Sequence, residues 1–301
     1  MIQWALKEND DWRLVLCQAA ARGGNLRILQ WAHANEFSWH ANTCGAAASS
    51  GHLDILRWAH SEGCPWDGQT CLMAAAGGHL GVLKWAHAHG CPWDGSTCSE
   101  AAGFGYLEIL QWARSENCPW DTRTCRKAAE GGHLGVLQWA RVHGCPWDYD
   151  TCFGAAGRGN LEVLQWARAN GADWGAGVTH RAAEGGHLEL LQWSRAQGCP
   201  WHRLSAAGAI TSGRLDMLEW MLADGCTWPD NASLAAALAG HVHILQWIKA
   251  THRSWDKFPL CKATASRGRL GALQWARANG CPWDSRVCSE SARGGHLEVL
   301  K

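Results

Sequence analysis

No run of apolar residues reaches the ~18 needed to span a bilayer, so no membrane partner is expected. The opening stretch, MIQWALKENDDW, lacks the layout of a signal peptide. Neither sign of charge is in excess: 27 Lys and Arg stand against 27 Asp and Glu. Nucleic-acid binding usually needs a basic stripe, so no nucleic-acid partner is expected either. No period-2 alternation marks a strand. There is no Gly-rich phosphate loop, and no Ser/His/Asp set or carboxylate pair stands out. The chain therefore reads as a non-enzyme, with no catalytic residue and no cofactor.

What the chain has in abundance is repetition. A leucine recurs at Leu26, Leu53, Leu80, Leu107, Leu134, Leu161, Leu188 and Leu215, each 27 residues after the last; Val242 continues the series, and Leu270 and Leu297 resume it after one step of 28. Such a period means a repeat stack. All 22 tryptophans fall in two columns of this register. One lies five residues past the leucine, as at Trp31, Trp58, Trp85 and Trp112, with Trp4 in phase ahead of them. The other lies thirteen past it, as at Trp12, Trp39, Trp66, Trp93, Trp120 and Trp255. Residues placed for a ligand tend to cluster, whereas these are spread one per column per repeat. They are expected to form the core between repeats.

Within one unit, Leu80, Leu83, Trp85 and Ala86 have helical spacing, Gly90 is a stop, and Pro92 bars continuation. This is helix B. Asp94 is a candidate N-cap for a second helix, A, carrying Cys98, Ala101 and Ala102 and ending at Gly105. Alanine recurs on A at Ala20, Ala47, Ala74, Ala101 and Ala128, so A helices can approach closely. Two indoles remove about 150–250 Å² each, worth roughly 10 kcal/mol, against roughly 40 for ordering 27 residues. One unit cannot fold alone, and its stability must come from its neighbours.

The segment from Gly78 to Ala86 and its variant from Gly295 to Leu300 resemble the second helix of ankyrin repeats, and Asn170-Gly-Ala-Asp173 is similar to the turn that follows it. Thr97 to Ala102 is similar to the first ankyrin helix, with Cys98 where ankyrins carry leucine. Two features depart from that family: the unit is six residues shorter than 33, at the place of the β-hairpin finger, and Thr-Pro-Leu-His is absent. The resemblance implies an all-α helix-turn-helix repeat solenoid of about eleven stacked ankyrin-like units. It is expected to run over residues 1–301 as a single body, with partial units at both ends. Those cut ends suggest a segment of a longer array; head-to-tail self-association is the alternative, because Gln3 and Lys301 share a column.

Fifteen cysteines, an odd number without an export signal, fit thiols kept reduced inside the cell, in cytoplasm or nucleus. They recur seven apart, as at Cys91 and Cys98. That spacing is wider than zinc sites use, so no metal is expected and packing is the favoured role. The histidines before the register leucine, such as His52, His79 and His133, share their column with Asn25, Tyr106 and Arg214. A hydrogen-bonding role at the helix start is expected.

Columns that vary among otherwise uniform units are the candidates for recognition. On helix A these include Arg22, Met73, Glu100, Phe104, Arg126, Lys127, Phe153, Arg158, Arg181 and Arg267. In ankyrin-like folds such positions line or flank the concave face, which implies a protein–protein interaction scaffold. A thiol-based metal or redox protein and a purely structural stack are the alternatives.

Overall fold

The computed structural model describes residues 11–251 and 260–301. Ile2, Gln3, Trp4, Trp255 and the lengthened loop before Cys261 lie outside the described residues. The described residues form helices and no strand. In order the helices are α1 Asp11–Arg22, α2 Leu26–Ala34, α3 Ala41–Ser49, α4 Leu53–Ser61, α5 Gly68–Ala76, α6 Leu80–Ala88, α7 Gly95–Gly103, α8 Leu107–Ser115, α9 Thr122–Gly131, α10 Leu134–Val142, α11 Tyr149–Arg158, α12 Leu161–Ala169, α13 Gly177–Glu184, α14 Leu188–Ala196, α15 Ser205–Ser212, α16 Leu215–Ala223, α17 Ala232–Ala239, α18 Val242–Ala250, α19 Leu260–Ser266, α20 Leu270–Ala278, α21 Ser285–Arg293 and α22 Leu297–Leu300. Odd-numbered helices are the A helices and even-numbered ones the B helices, as the all-α repeat reading requires. They group into two compact units. One takes in the described residues of Met1–Ala155 with Glu162–Ala172, the other Ala156–Leu161 with the described residues of Asp173–Lys301. Each is built from the same helix pairs.

The helix boundaries follow from local chemistry. Carboxylates of Asp67, Asp94, Asp121, Asp148 and Asp284 accept a bond from the backbone N–H two residues on, at 2.8–3.0 Å, at the start of an A helix. His40 does the same at 3.2 Å through Nδ1. Before α13, α15 and α17 stand Ala176, Leu204 and Asn231, and no side chain caps these helices. B helices end at a left-handed residue, glycine at Gly63, Gly90 and Gly144; Glu36 (φ 59°) and Asn117 (φ 60°) adopt the same turn.

The A helices carry the close packing. In the first unit α1, α3, α5, α7 and α9 lie against one another in sequence, and in the second α13, α15, α17, α19 and α21 do so. Ala74, Ala101, Ala128, Ala182 and Ala209 are fully buried where they meet. Each A helix also rests on the B helix that follows, through a fully buried leucine such as Leu83, Leu110 or Leu191, three past the register leucine. The register residues from Leu26 to Leu270 are only half-buried, and Leu297 is exposed. Among the described residues the A helices pack more closely on one another than the B helices do.

The tryptophans depart from the expected core. None of those described is buried: most are half-buried, and Trp31 and Trp283 are 43% and 41% exposed. They do bridge repeats. Turn indoles meet the indole of the next B helix, edge-on with centroids 5.4 Å apart for Trp39 and Trp58 and 6.0 Å for Trp201 and Trp220, and tilted at 5.5 Å for Trp93 and Trp112. The B helices stand farther apart than the A helices. The long indoles span that gap, and one side of each stays open to water. On the turn indole lies a planar group from the preceding helix. His60 and His87 stack on Trp66 and Trp93 at 4.0 and 3.9 Å, and the Arg114 and Arg141 guanidinium groups lie 4.2 and 4.1 Å above Trp120 and Trp147. The same guanidinium of Arg141 donates to the Cys145 carbonyl at 2.5 Å, and Arg114 donates likewise to Cys118.

The histidine column also acts between repeats rather than at its own helix start, since no side chain caps those B helices. The rings of His52 and His296 reach the carbonyls of Arg22 and Ser266, each at 3.2 Å, at the end of the preceding A helix. This path passes over a glycine. At Gly105 (φ 81°) a Cβ would meet the His133 ring at 2.6 Å, so the position needs both the left-handed backbone and the missing side chain.

Candidate functional site

Close packing of the A helices brings their outward residues into one row within each unit. Between α1, α3 and α5 lies a shallow cleft of about 80 Å³ lined by Gln18, Arg22, Asn42, Ser49, Gln69 and Met73. Between α5, α7 and α9 lies a larger one of about 260 Å³, lined by Leu72, Ser96, Ser99, Glu100, Arg126 and Lys127. Five of the ten residues singled out from sequence line these two clefts: Arg22 and Met73 in the first, and Glu100, Arg126 and Lys127 in the second. Phe104 is 54% exposed beyond the end of α7 and stacks on Tyr106 at 6.4 Å. Phe153 is half-buried on α11 and Arg158 is exposed at its end. In the second unit Arg181 pairs with Glu184 at 2.8 Å and runs alongside Gly157, where a Cβ would meet its Nε at 3.0 Å. Arg267 is exposed just after α19.

The larger cleft is not a bare basic surface. Lys127 meets Glu100 of the preceding repeat at 3.2 Å, Arg126 binds Glu130 at 2.9 Å, and Asp150 of the next repeat lies 3.9 Å from the Arg126 guanidinium. Glu130 and Asp150 beside Arg126, with the side-chain bond to Glu130 the larger cause, hold its pKa above the ordinary arginine value. Pairs this exposed are worth about 0–1 kcal/mol and exchange partners at little cost.

A second cluster lies inside the stack. Cysteines seven apart are not partners; thiols twenty apart are. The Cys71 and Cys98 thiols point at the Cys91 and Cys118 carbonyls at 3.9 Å and hydrogen-bond the sulfurs of those same residues. Cys125 does the same with Cys145, Cys64 pairs with Cys44, and Cys281 accepts the Cys261 N–H at 3.1 Å. Donation to Cys91, then burial, holds the Cys71 thiol well above its ordinary range, while Cys91 is lowered by accepting it. Cys261 is pushed up to about 12, by burial first and then by its bond to Cys281. None of the fifteen cysteines is in a disulfide. No group of three or more His, Cys, Asp or Glu side chains able to hold a metal ion occurs among the described residues, and no described helix is long and apolar enough to cross a membrane.

No family model matches the chain, and no curated protein sequence matches it. Solved structures do. One is the human ASB11 ankyrin repeat domain, 18% identical, covering 62% of this chain and 99% of that one with a TM-score of 0.46. Another is the pentatricopeptide repeat protein PPR10 in complex with an 18-nt psaJ RNA element, 12% identical, covering 98% of this chain and 53% of that one with a TM-score of 0.46. The second structure corrects the expectation of no nucleic-acid partner. A helical-repeat protein holds RNA there, and a net charge summed over a whole chain says nothing about what a local row of side chains can take.

Proposed function

We propose that the chain is an ankyrin-like binding scaffold whose A-helix row takes a polypeptide segment. The observation that carries this reading is the pair of clefts between successive A helices in the first unit, lined by side chains that change from repeat to repeat while the alanines beneath them do not. A row that is chemically varied on a constant frame can read an extended chain residue by residue. The paired charges around Arg126 and Lys127 suit a mixed-charge polypeptide, which can exchange one ion pair for another. The apolar contributions of Met73 and Phe104 supply the anchors that such contacts need.

A displayed peptide library selected on the purified chain tests this. Selected peptides should lose at least about tenfold in affinity on the double change Arg126→Glu and Lys127→Glu, with helical content unchanged by circular dichroism, and should keep it on Gln111→Glu, on a B helix. Binding unaffected by the A-helix change would remove the reading. So would capture of RNA alone, abolished by ribonuclease, which would put a nucleic acid in the polypeptide's place.

A further inference from the structure

The five thiol pairs join two columns that the sequence gives no reason to connect, and three features of them go beyond packing. The first is their arrangement. Cys71–Cys91, Cys98–Cys118 and Cys125–Cys145 each set one thiol from an A helix against one from the turn of the next repeat, buried from solvent. The second is a poorly satisfied group at each. The hydroxyls of Thr70, Thr97 and Thr124, just before the A-helix cysteine, are buried with no nitrogen or oxygen to bond. Those of Thr70 and Thr124 bond the sulfurs of Cys91 and Cys145, which are weak acceptors as thiols. A buried hydroxyl with no good acceptor costs about 1–3 kcal/mol, and a bound ion that strengthens the acceptor is one way to recover it. The third is a cation. Arg114 and Arg141 donate to the carbonyls of Cys118 and Cys145, which keeps a fixed positive charge beside the pair.

We propose that these inter-repeat thiol pairs are two-coordinate sites for a soft monovalent cation of the copper(I) type. Thiolates select soft metals, and two sulfurs without a third ligand suit copper(I) rather than zinc, which takes four. On binding, each S–H bond breaks, two S–metal bonds form and two protons leave to water. The site changes from neutral to a single negative charge, which the neighbouring guanidinium offsets at Cys98–Cys118 and Cys125–Cys145. Each thiolate sulfur is a stronger acceptor than the thiol, so the threonine hydroxyl beside it is better satisfied. The metal enters when the exposed Pro-Trp turn opens locally; the A helices need not part.

Silver(I), which has the same coordination and no redox chemistry, is the probe. Reduced, oxygen-free protein is titrated in excess monothiol, which competes with single cysteines but not with a chelating pair. The expected uptake is five equivalents, one per pair. Cys98→Ser and Cys125→Thr should each remove one. Both should fold, because Thr179 and Ser233 already occupy that column and Thr179 bonds Ser205 at 3.1 Å in place of a thiol pair. Cys17→Ser and Cys226→Ser should remove none, since Phe37 and Ala206 stand where a second thiol would be. Thr124→Val, a change the chain itself carries at Val178, should keep the stoichiometry and weaken one site about tenfold. No uptake under competition, or equal losses at Cys17 and Cys226, would overturn the proposal.

Discussion

Along the A helices successive repeats meet through Ala74, Ala101 and Ala128; along the B helices they meet through Trp66 with Trp85 and Trp93 with Trp112. The same 27-residue unit therefore makes two different joints. On the A side the helices are close, the side chains are small, and burial is complete. On the B side they are apart, the side chains are the largest available, and burial is partial. The separation of the helices decides which residue fits, and a tryptophan that recurs in every repeat is here a strut across a gap rather than a core residue. The strut is held at its outer end by a histidine or arginine stacked on the turn indole.

The largest effect that could break this comparison comes from truncating one residue on each side of the same helix. Leu110→Ala should cost about 2–5 kcal/mol, the range for a fully buried leucine. Trp112→Ala, two residues away but half-buried, should cost about 2 kcal/mol, nearer half the value for a core tryptophan. Denaturant midpoints of the two variants measure this directly. A Trp112 cost equal to or above that of Leu110 would mean the indole belongs to the core after all. A smaller effect sharpens the comparison at the turn. Asp94→Ala should cost about 1 kcal/mol by removing the bond to the Ser96 N–H, with the indole pairs on either side unchanged. A midpoint that does not move would show that packing alone fixes the start of α7.

Much of the fold was legible. The period, the two helices, the aspartate cap at Asp94, the stop at Gly90 and the small face of helix A all follow from local chemistry, which a single unit contains. What could not be read depends on distances between units. Nothing local says that B helices stand farther apart than A helices, so Trp85 and Trp112 looked like core. Nothing local says that Cys98 faces Cys118 rather than Cys91, because the two columns lose their cysteines independently, as at Thr179 beside Cys199. One signal was available and missed: a planar His or Arg six residues before the turn tryptophan, as at His87 and Trp93 or Arg141 and Trp147. For the candidate site, variability marked Arg22, Met73, Glu100, Arg126 and Lys127, but only the packing of α1 through α9 groups them into two clefts.

Acrylamide quenching of the intrinsic fluorescence tests the placement of the indoles most directly. With the described tryptophans half-buried or exposed, the native protein should be substantially quenched, and its emission maximum should fall between those of buried and fully hydrated indole. Emission that is blue-shifted and resists acrylamide until the protein unfolds would contradict the account.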